Sequence, residues 1–257
     1  MARKAFILSL LPLAWLLASC SGPGVIDART PAPGIGLGEQ VATEGLLSAE
    51  VIYSRSPIVA RYDRFVGGSS KPSKDIGEIQ VFGDETTWMI ERYRIPADER
   101  KEPELERRVL LGQGGDGSVL LRESTGGERN LTTIFDPPVQ LAAPLMREGE
   151  SFRGAFTPRI RDASGERNET GEGTSKVTYA GRQRVETAMG SFDADLIMTE
   201  LTFDFGMVKI NRVARQWIAT IRPGRPMIVA EDIVERQTVF GFTTTDRTRL
   251  SIRSLVR

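Results

Sequence analysis

The residues that could carry acid–base or metal chemistry are few in this chain. Its 257 residues include 34 Lys and Arg, 34 Asp and Glu, one Cys and no His. The lack of His removes the commonest general base and metal ligand, and a single Cys cannot build a disulfide or a cysteine zinc site. Because acidic and basic residues balance, no global field favours nucleic acid. We therefore expect no cofactor, no metal and no nucleic-acid partner.

The remaining catalytic candidates are carboxylates. Asp193 and Asp195 are two residues apart and would share one face of a strand. A general acid and base need a pocket that separates their pKa values, and the surrounding sequence indicates none. The prediction is a protein without catalytic residues, with a His-independent hydrolase as the less favoured alternative.

Two further segments have the letters of ligand-binding motifs. Residues 112–117 match the dinucleotide-binding fingerprint, but that motif needs a helix after it. A second apolar strand-like run follows instead, which predicts a hairpin. The acidic residues of segment 162–169 do not have calcium-loop spacing, and interleaved Arg residues oppose a dication.

The N-terminus has the parts of a secretory signal. Arg3 and Lys4 precede an apolar stretch over residues 5–18, interrupted by Ser9 and Pro12. That stretch is shorter than the about 20 apolar residues of a membrane-spanning helix. It therefore predicts a cleavable signal peptide over residues 1–19.

The end of this stretch reads Leu17-Ala18-Ser19-Cys20, which resembles the lipobox of bacterial lipoproteins. The resemblance implies cleavage before Cys20 and acylation of Cys20, including a diacylglyceryl group on its thiol. Because each buried methylene of an acyl chain contributes about 0.8 kcal/mol, such a protein stays on the membrane. In the lipoproteins that this motif resembles, a Ser after the Cys, here Ser21, implies sorting to the outer membrane, so we expect the protein to face the periplasm.

The mature chain divides into a tether and one domain. Residues 20–45 are rich in Gly and Pro, notably at 31–38, and predict a lipidated Cys20 followed by a flexible tether. Residues 46–257 predict a β-rich domain.

Most of that domain alternates apolar and polar residues, as half-buried strands do. We expect an all-β fold, a single antiparallel sheet forming a curled half-open barrel or a sandwich. The buried sides of its strands would include Trp88 and Trp217. Two segments break the pattern: 98–108 predicts a solvated loop or helical turn, and 157–175 a mobile hairpin tip or functional loop.

The C-terminal half also resembles uncharacterised β-rich envelope proteins of bacteria, over residues 136–234. The resemblance rests on the hairpin at residues 185–194 and on the Pro-Leu and Gly-Glu-x-Phe elements at residues 144–152. Such families have open or curled antiparallel sheets and no assigned catalytic residues. The prediction is a lipid-anchored envelope protein that binds or assembles with a partner. The alternative is a carrier of an apolar ligand, and the ligand-binding residues are unknown.

Overall fold

The computed structural model describes residues 30–43, 45–53, 57–84, 86–126, 131–162, 168–223 and 225–256. The predicted signal peptide and Cys20 lie outside the described residues. These residues form one short 3₁₀ helix, Ala49–Val51, and include no helix that is long and apolar enough to span a membrane. The strands are β1 (Gly36–Val41), β2 (Leu47–Ser48), β3 (Ile58–Val66), β4 (Ile76–Gly83), β5 (Thr87–Ile95), β6 (Glu104–Gln113), β7 (Val119–Gly126), β8 (Leu131–Ala142), β9 (Leu145–Met146), β10 (Ser151–Arg161), β11 (Asn168–Thr170), β12 (Glu172–Thr187), β13 (Gly190–Asp204), β14 (Val208–Arg222), β15 (Arg225–Val239) and β16 (Phe242–Leu255).

Twelve of these strands close into an antiparallel barrel. Their order is β12, β13, β14, β15, β16, β3, β4, β5, β6, β7, β8 and β10, and β10 pairs back onto β12. The prediction of an all-β antiparallel domain is confirmed. The expectation of a half-open barrel or a sandwich is replaced by a closed barrel, because residues 151–156 pair with residues 173–178.

Alternation along the strands separates an inner from an outer face. Glu231 on β15 contacts Arg92 on β5, although β16, β3 and β4 lie between these strands in the sheet. Such a contact is possible only across the interior, so Glu231 points inward. The next residue, Asp232, then points outward.

The two ends of the barrel differ. The open end carries the connections at residues 67–75, 96–103, 205–207 and 240–241. At the opposite end, which we call the plugged end, β2 pairs with β9 in the connection between β8 and β10. From there residues 49–53 continue inward, where Ile52 and Tyr53 are buried.

Residues 30–41 belong to the folded barrel, although the sequence predicts a tether there. β1 pairs with residues 182–186 of β12, and Ala32 and Ile35 are buried. Gly34, at φ +90°, lies so close to the Phe65 ring that an added Cβ would be 2.4 Å from a ring carbon. Only glycine fits this position.

Three arginines hold this N-terminal segment against the outer face. Arg215, Arg247 and Arg249 donate hydrogen bonds to the backbone carbonyls of Thr30, Pro31 and Pro33, respectively. A proline-rich segment has few N–H groups of its own, so donors from the sheet satisfy its carbonyls.

Asp232 neutralises two of these arginines. Its carboxylate accepts hydrogen bonds from Arg215 at 2.5 Å and from Arg247 at 2.8 Å, and the Asp232 and Arg215 side chains are fully buried. Arg215 also lies over the ring of Trp217, 5.3 Å from its centroid. Trp88 and Trp217 are both buried, which confirms their predicted packing role.

The two irregular segments of the sequence lie partly in strands. Residues 98–103 form a connection, but Glu104 begins β6, so the second half of the charged run lies in the sheet. Segment 157–175 contains the end of β10, all of β11 and the start of β12. Its buried positions are occupied by Pro158, Gly173 and Ser175 instead of large apolar residues, so the sequence lacks the apolar–polar alternation that marks a strand.

We expect Asp232→Ala to destabilise the protein by about 3–5 kcal/mol, because it removes the buried carboxylate that is paired with the buried Arg215. Urea unfolding followed by circular dichroism measures the loss. Asp193→Ala is the matched control, since it breaks only the exposed Arg184–Asp193 pair and should cost at most about 1 kcal/mol. Equal losses in the two variants would contradict this assignment.

Candidate binding cavity

The barrel interior holds a cavity of about 210 Å³ near the open end. Five strands line it: β5, β6, β14, β15 and β16. Most of the lining is charged, with three arginines, three glutamates and one aspartate among Arg92, Glu106, Arg107, Arg212, Glu231, Ile233, Glu235, Asp246, Thr248 and Leu250.

The cavity lies just inside the open end. Arg212, Glu235 and Asp246 are each four residues from the strand end there, which corresponds to about 13 Å along a strand. Alternation places all three on the inner face. Asp246 is exposed, so the cavity is in contact with solvent.

The floor of the cavity is a network centred on Glu231. This carboxylate is buried and accepts hydrogen bonds from Arg92 at 2.6 Å and from Gln216 at 2.7 Å. The Tyr53 hydroxyl donates to the Gln216 side-chain oxygen at 3.2 Å. Residues 49–53, which we call the plug, therefore contact the cavity floor directly through Tyr53.

The wall near the open end is less tightly paired. Glu235 lies 3.6 Å from both Arg107 and Arg212, an ion-pair distance that exceeds a good hydrogen bond. Within the described part of the chain, Arg92 Nε and Arg212 Nη1 are buried without a hydrogen-bond acceptor. Both arginines line the cavity.

Solvent exclusion shifts the pKa values of groups around the cavity. Burial raises the pKa of Tyr53 and of Tyr62, and the Glu231 carboxylate adds to this while Arg92 opposes it. Loss of solvation lowers the pKa of the Arg107 guanidinium, against the opposing effect of Glu235. The interior thus behaves as a medium of low polarity that contains paired charges.

The paired carboxylates of the sequence are not part of this cavity. Asp195 accepts hydrogen bonds from Tyr179 and Arg182, and Asp193 accepts one from Arg184. Each carboxylate faces its own arginine across the β12–β13 pair. The structure thus places both in ion pairs on the sheet.

The other motif-like segments also lie apart from it. Residues 112–117 form the connection of the β6–β7 hairpin, as predicted. Among the described residues, no group of three acidic or Cys side chains could hold a metal ion.

A larger concavity, of about 560 Å³, lies on the outer face of β10, β12 and β13. Lys176 and Glu200 in it already form an ion pair at 3.0 Å. It is an open groove of the sheet surface, whereas the interior cavity has walls on several sides.

The sequence did not reveal the interior cavity. Its residues come from five strands and alternate with outward-facing residues, so they look like the polar face of ordinary half-buried strands. A signal was present in Glu231, one of two charged residues within the otherwise apolar run 226–234 of β15. Which of the two side chains points into the barrel is fixed only by closure of the barrel.

Comparisons with known proteins give little further help. No family model matches the chain, and no curated protein matches it. A solved crystal structure, described as a "putative lipoprotein" from Parabacteroides distasonis, is similar over 81% of this chain and 99% of that one. It is 9% identical with a TM-score of 0.47, a level that supports no inference about this chain.

The raised pKa values predict how the tyrosines respond to alkali. All four tyrosines, including Tyr93 and Tyr179, have a pKa above the ordinary value. Their protonated forms stabilise the fold fully below about pH 10, and this stabilisation is lost as pH rises above that value. Ultraviolet titration at 295 nm should show the phenolates of the fully buried Tyr53 and Tyr62 appearing only together with loss of the β-sheet dichroism. Normal ionisation of all four tyrosines near pH 10 in a folded protein would contradict the buried assignment.

Proposed function

We propose that the chain is a lipid-anchored protein of the bacterial cell envelope that acts as a non-catalytic binding or assembly module. Two features support the proposal. The lipobox-like Leu17-Ala18-Ser19-Cys20 supports attachment to a membrane, with the outer membrane and periplasm as the expected location. The charged cavity at the open end of the barrel supports binding.

The observation that carries the binding role is the cavity itself. A barrel serving only as a spacer gains nothing from buried charges next to an unfilled space, because desolvation of such charges is costly. Here Arg92 and Arg212 keep unsatisfied donors, and Asp246 offers an acceptor at the mouth. We therefore propose a small polar ligand that carries both an anionic and a cationic group.

This lining does not favour the alternative of an apolar-ligand carrier. Such a carrier needs an apolar cavity, whereas only Ile233 and Leu250 give this one apolar side chains. An envelope protein that covers the open end remains compatible with the proposed binding or assembly role.

The anchoring part is tested by intact mass and fractionation. The membrane-extracted protein should have the mass of residues 20–257 plus acyl groups, because cleavage precedes Cys20 and the thiol is modified. Cys20→Ala should lose both the acyl groups and the cleavage before residue 20, whereas a protein without residues 1–20 should appear in the soluble fraction. An unmodified mass of the native protein, acyl groups that persist in Cys20→Ala, or a shortened protein that stays on the membrane would contradict the anchor.

The binding part is tested by thermal stability with small zwitterions. Amino acids and related ammonium carboxylates, screened one by one, should include a compound that raises the Tm of the Cys20→Ala protein, because a ligand that binds only the folded state stabilises it. Adding Arg212→Leu should abolish that shift. Lys209→Leu is the matched control, since Lys209 is on the same strand but on the outer face. No shift with any compound, or an equal shift in both variants, would contradict the proposed site.

A further inference from the structure

Three large apolar side chains are exposed together at the open end of the barrel. Met207, Phe240 and Phe242 are 66%, 64% and 75% exposed. They occupy the tips of the β13–β14 and β15–β16 hairpins, which are joined by a hydrogen bond of 3.2 Å from the Phe240 N–H to the Met207 carbonyl. We call these three residues the tip patch.

Folding does not account for Phe240. It is the first residue of a two-residue turn with Gly241, at φ +49°, and is the only non-glycine residue with positive φ among those described. Turns of this kind favour Asn, Asp or Gly, and a bulky side chain is unfavourable there. Phe240 is both strained and exposed to water, so its side chain gains nothing within the barrel.

The chain before the barrel is long enough for a lipid on Cys20 to lie at the level of the tips. Nine residues, 21–29, separate Cys20 from Thr30, and the ten steps between these two Cα atoms span up to about 35 Å if extended. The Thr30 carbonyl is held by Arg215, seven residues from the start of β14 and hence about 23 Å from the tips. A lipid on Cys20 and the tip patch can therefore reach one bilayer.

The charges beside the tip patch point to insertion rather than electrostatic attraction. Lys209 is paired with Asp204 at 2.9 Å, and Thr238 and Thr243 share a hydrogen bond at 2.8 Å. The tips thus present apolar side chains without a surplus of positive charge, which suits neutral lipid. Aromatic side chains are stable at the boundary between headgroups and acyl chains.

We propose that the tip patch inserts into the surface of the membrane that carries the lipid anchor. The geometry rests on the proposed anchoring of Cys20. In this orientation the open end of the barrel and its charged cavity face the lipid headgroups. The anchor holds the protein at the bilayer, and the tip patch sets its orientation.

The test of orientation uses lipidated protein on phosphatidylcholine vesicles with brominated acyl chains, which quench nearby Trp. Trp88 and Trp217 are buried, so Phe242→Trp adds a Trp that reports on the tip. Its emission should shift to the blue and be quenched on these vesicles. Leu145→Trp is the matched control, because Leu145 lies at the plugged end and is 53% exposed. The Trp emission of this variant should be neither shifted nor quenched. Equal behaviour of the two variants would overturn the proposal.

A second measurement removes the anchor, so that failure of the tip patch is distinguished from failure of lipidation. The protein without residues 1–20, and hence without the apolar stretch 5–18, should bind neutral vesicles weakly and with little dependence on salt. Adding Phe240→Asn and Phe242→Thr should reduce partitioning by at least about tenfold, since each buried aromatic contributes that much or more. Because Asn-Gly suits this turn, the variant should unfold at the same or a higher urea concentration. Unchanged partitioning in the folded variant would also overturn the proposal.

Discussion

A barrel of twelve strands is too wide for its own side chains to fill, and the rest of this structure follows from that constraint. Barrels of about eight strands have interiors that side chains just fill, and the diameter grows with strand number. Two features of the chain occupy the wide interior. At one end, residues 47–53 enter and bury Ile52 and Tyr53. At the other end, long charged side chains reach inward across the barrel and leave a cavity between them.

Buried charge is stable here because almost every charge has a partner on a different strand. Inside, Arg92 reaches Glu231 across the barrel, so an ion pair links walls that share no backbone hydrogen bonds. Outside, Asp232 and its arginines hold the N-terminal segment. Adjacent residues of β15 thus carry the central acid of each network. This strand couples the cavity to the point where the segment leading to Cys20 joins the fold.

The sequence predicts the strands well, because the alternation of apolar and polar residues is a local pattern. It does not predict the features that depend on closure of the barrel. Nothing local shows that β10 pairs with β12, which makes the barrel closed. The Gly- and Pro-rich segment 31–38 has the composition of a tether, yet arginines from β14 and β16 hold its carbonyls. Glu106 and Glu235 look like solvated strand residues until closure turns them inward. The cavity was therefore beyond the reach of pattern analysis, whereas the lipobox-like Leu17-Ala18-Ser19-Cys20 is contiguous and can be recognised without a structure.

The division of the interior into a plugged end and an open, charged end is the central claim, and thiol reactivity tests it most directly. Cys20 is the only cysteine, so Cys20→Ala allows one test thiol at a time. Asp246→Cys at the mouth of the cavity should react rapidly with a small charged methanethiosulfonate. Ile52→Cys in the plug should react only as fast as the protein unfolds. Rapid labelling of Ile52→Cys in the folded protein, or protection of Asp246→Cys, would contradict this division of the barrel.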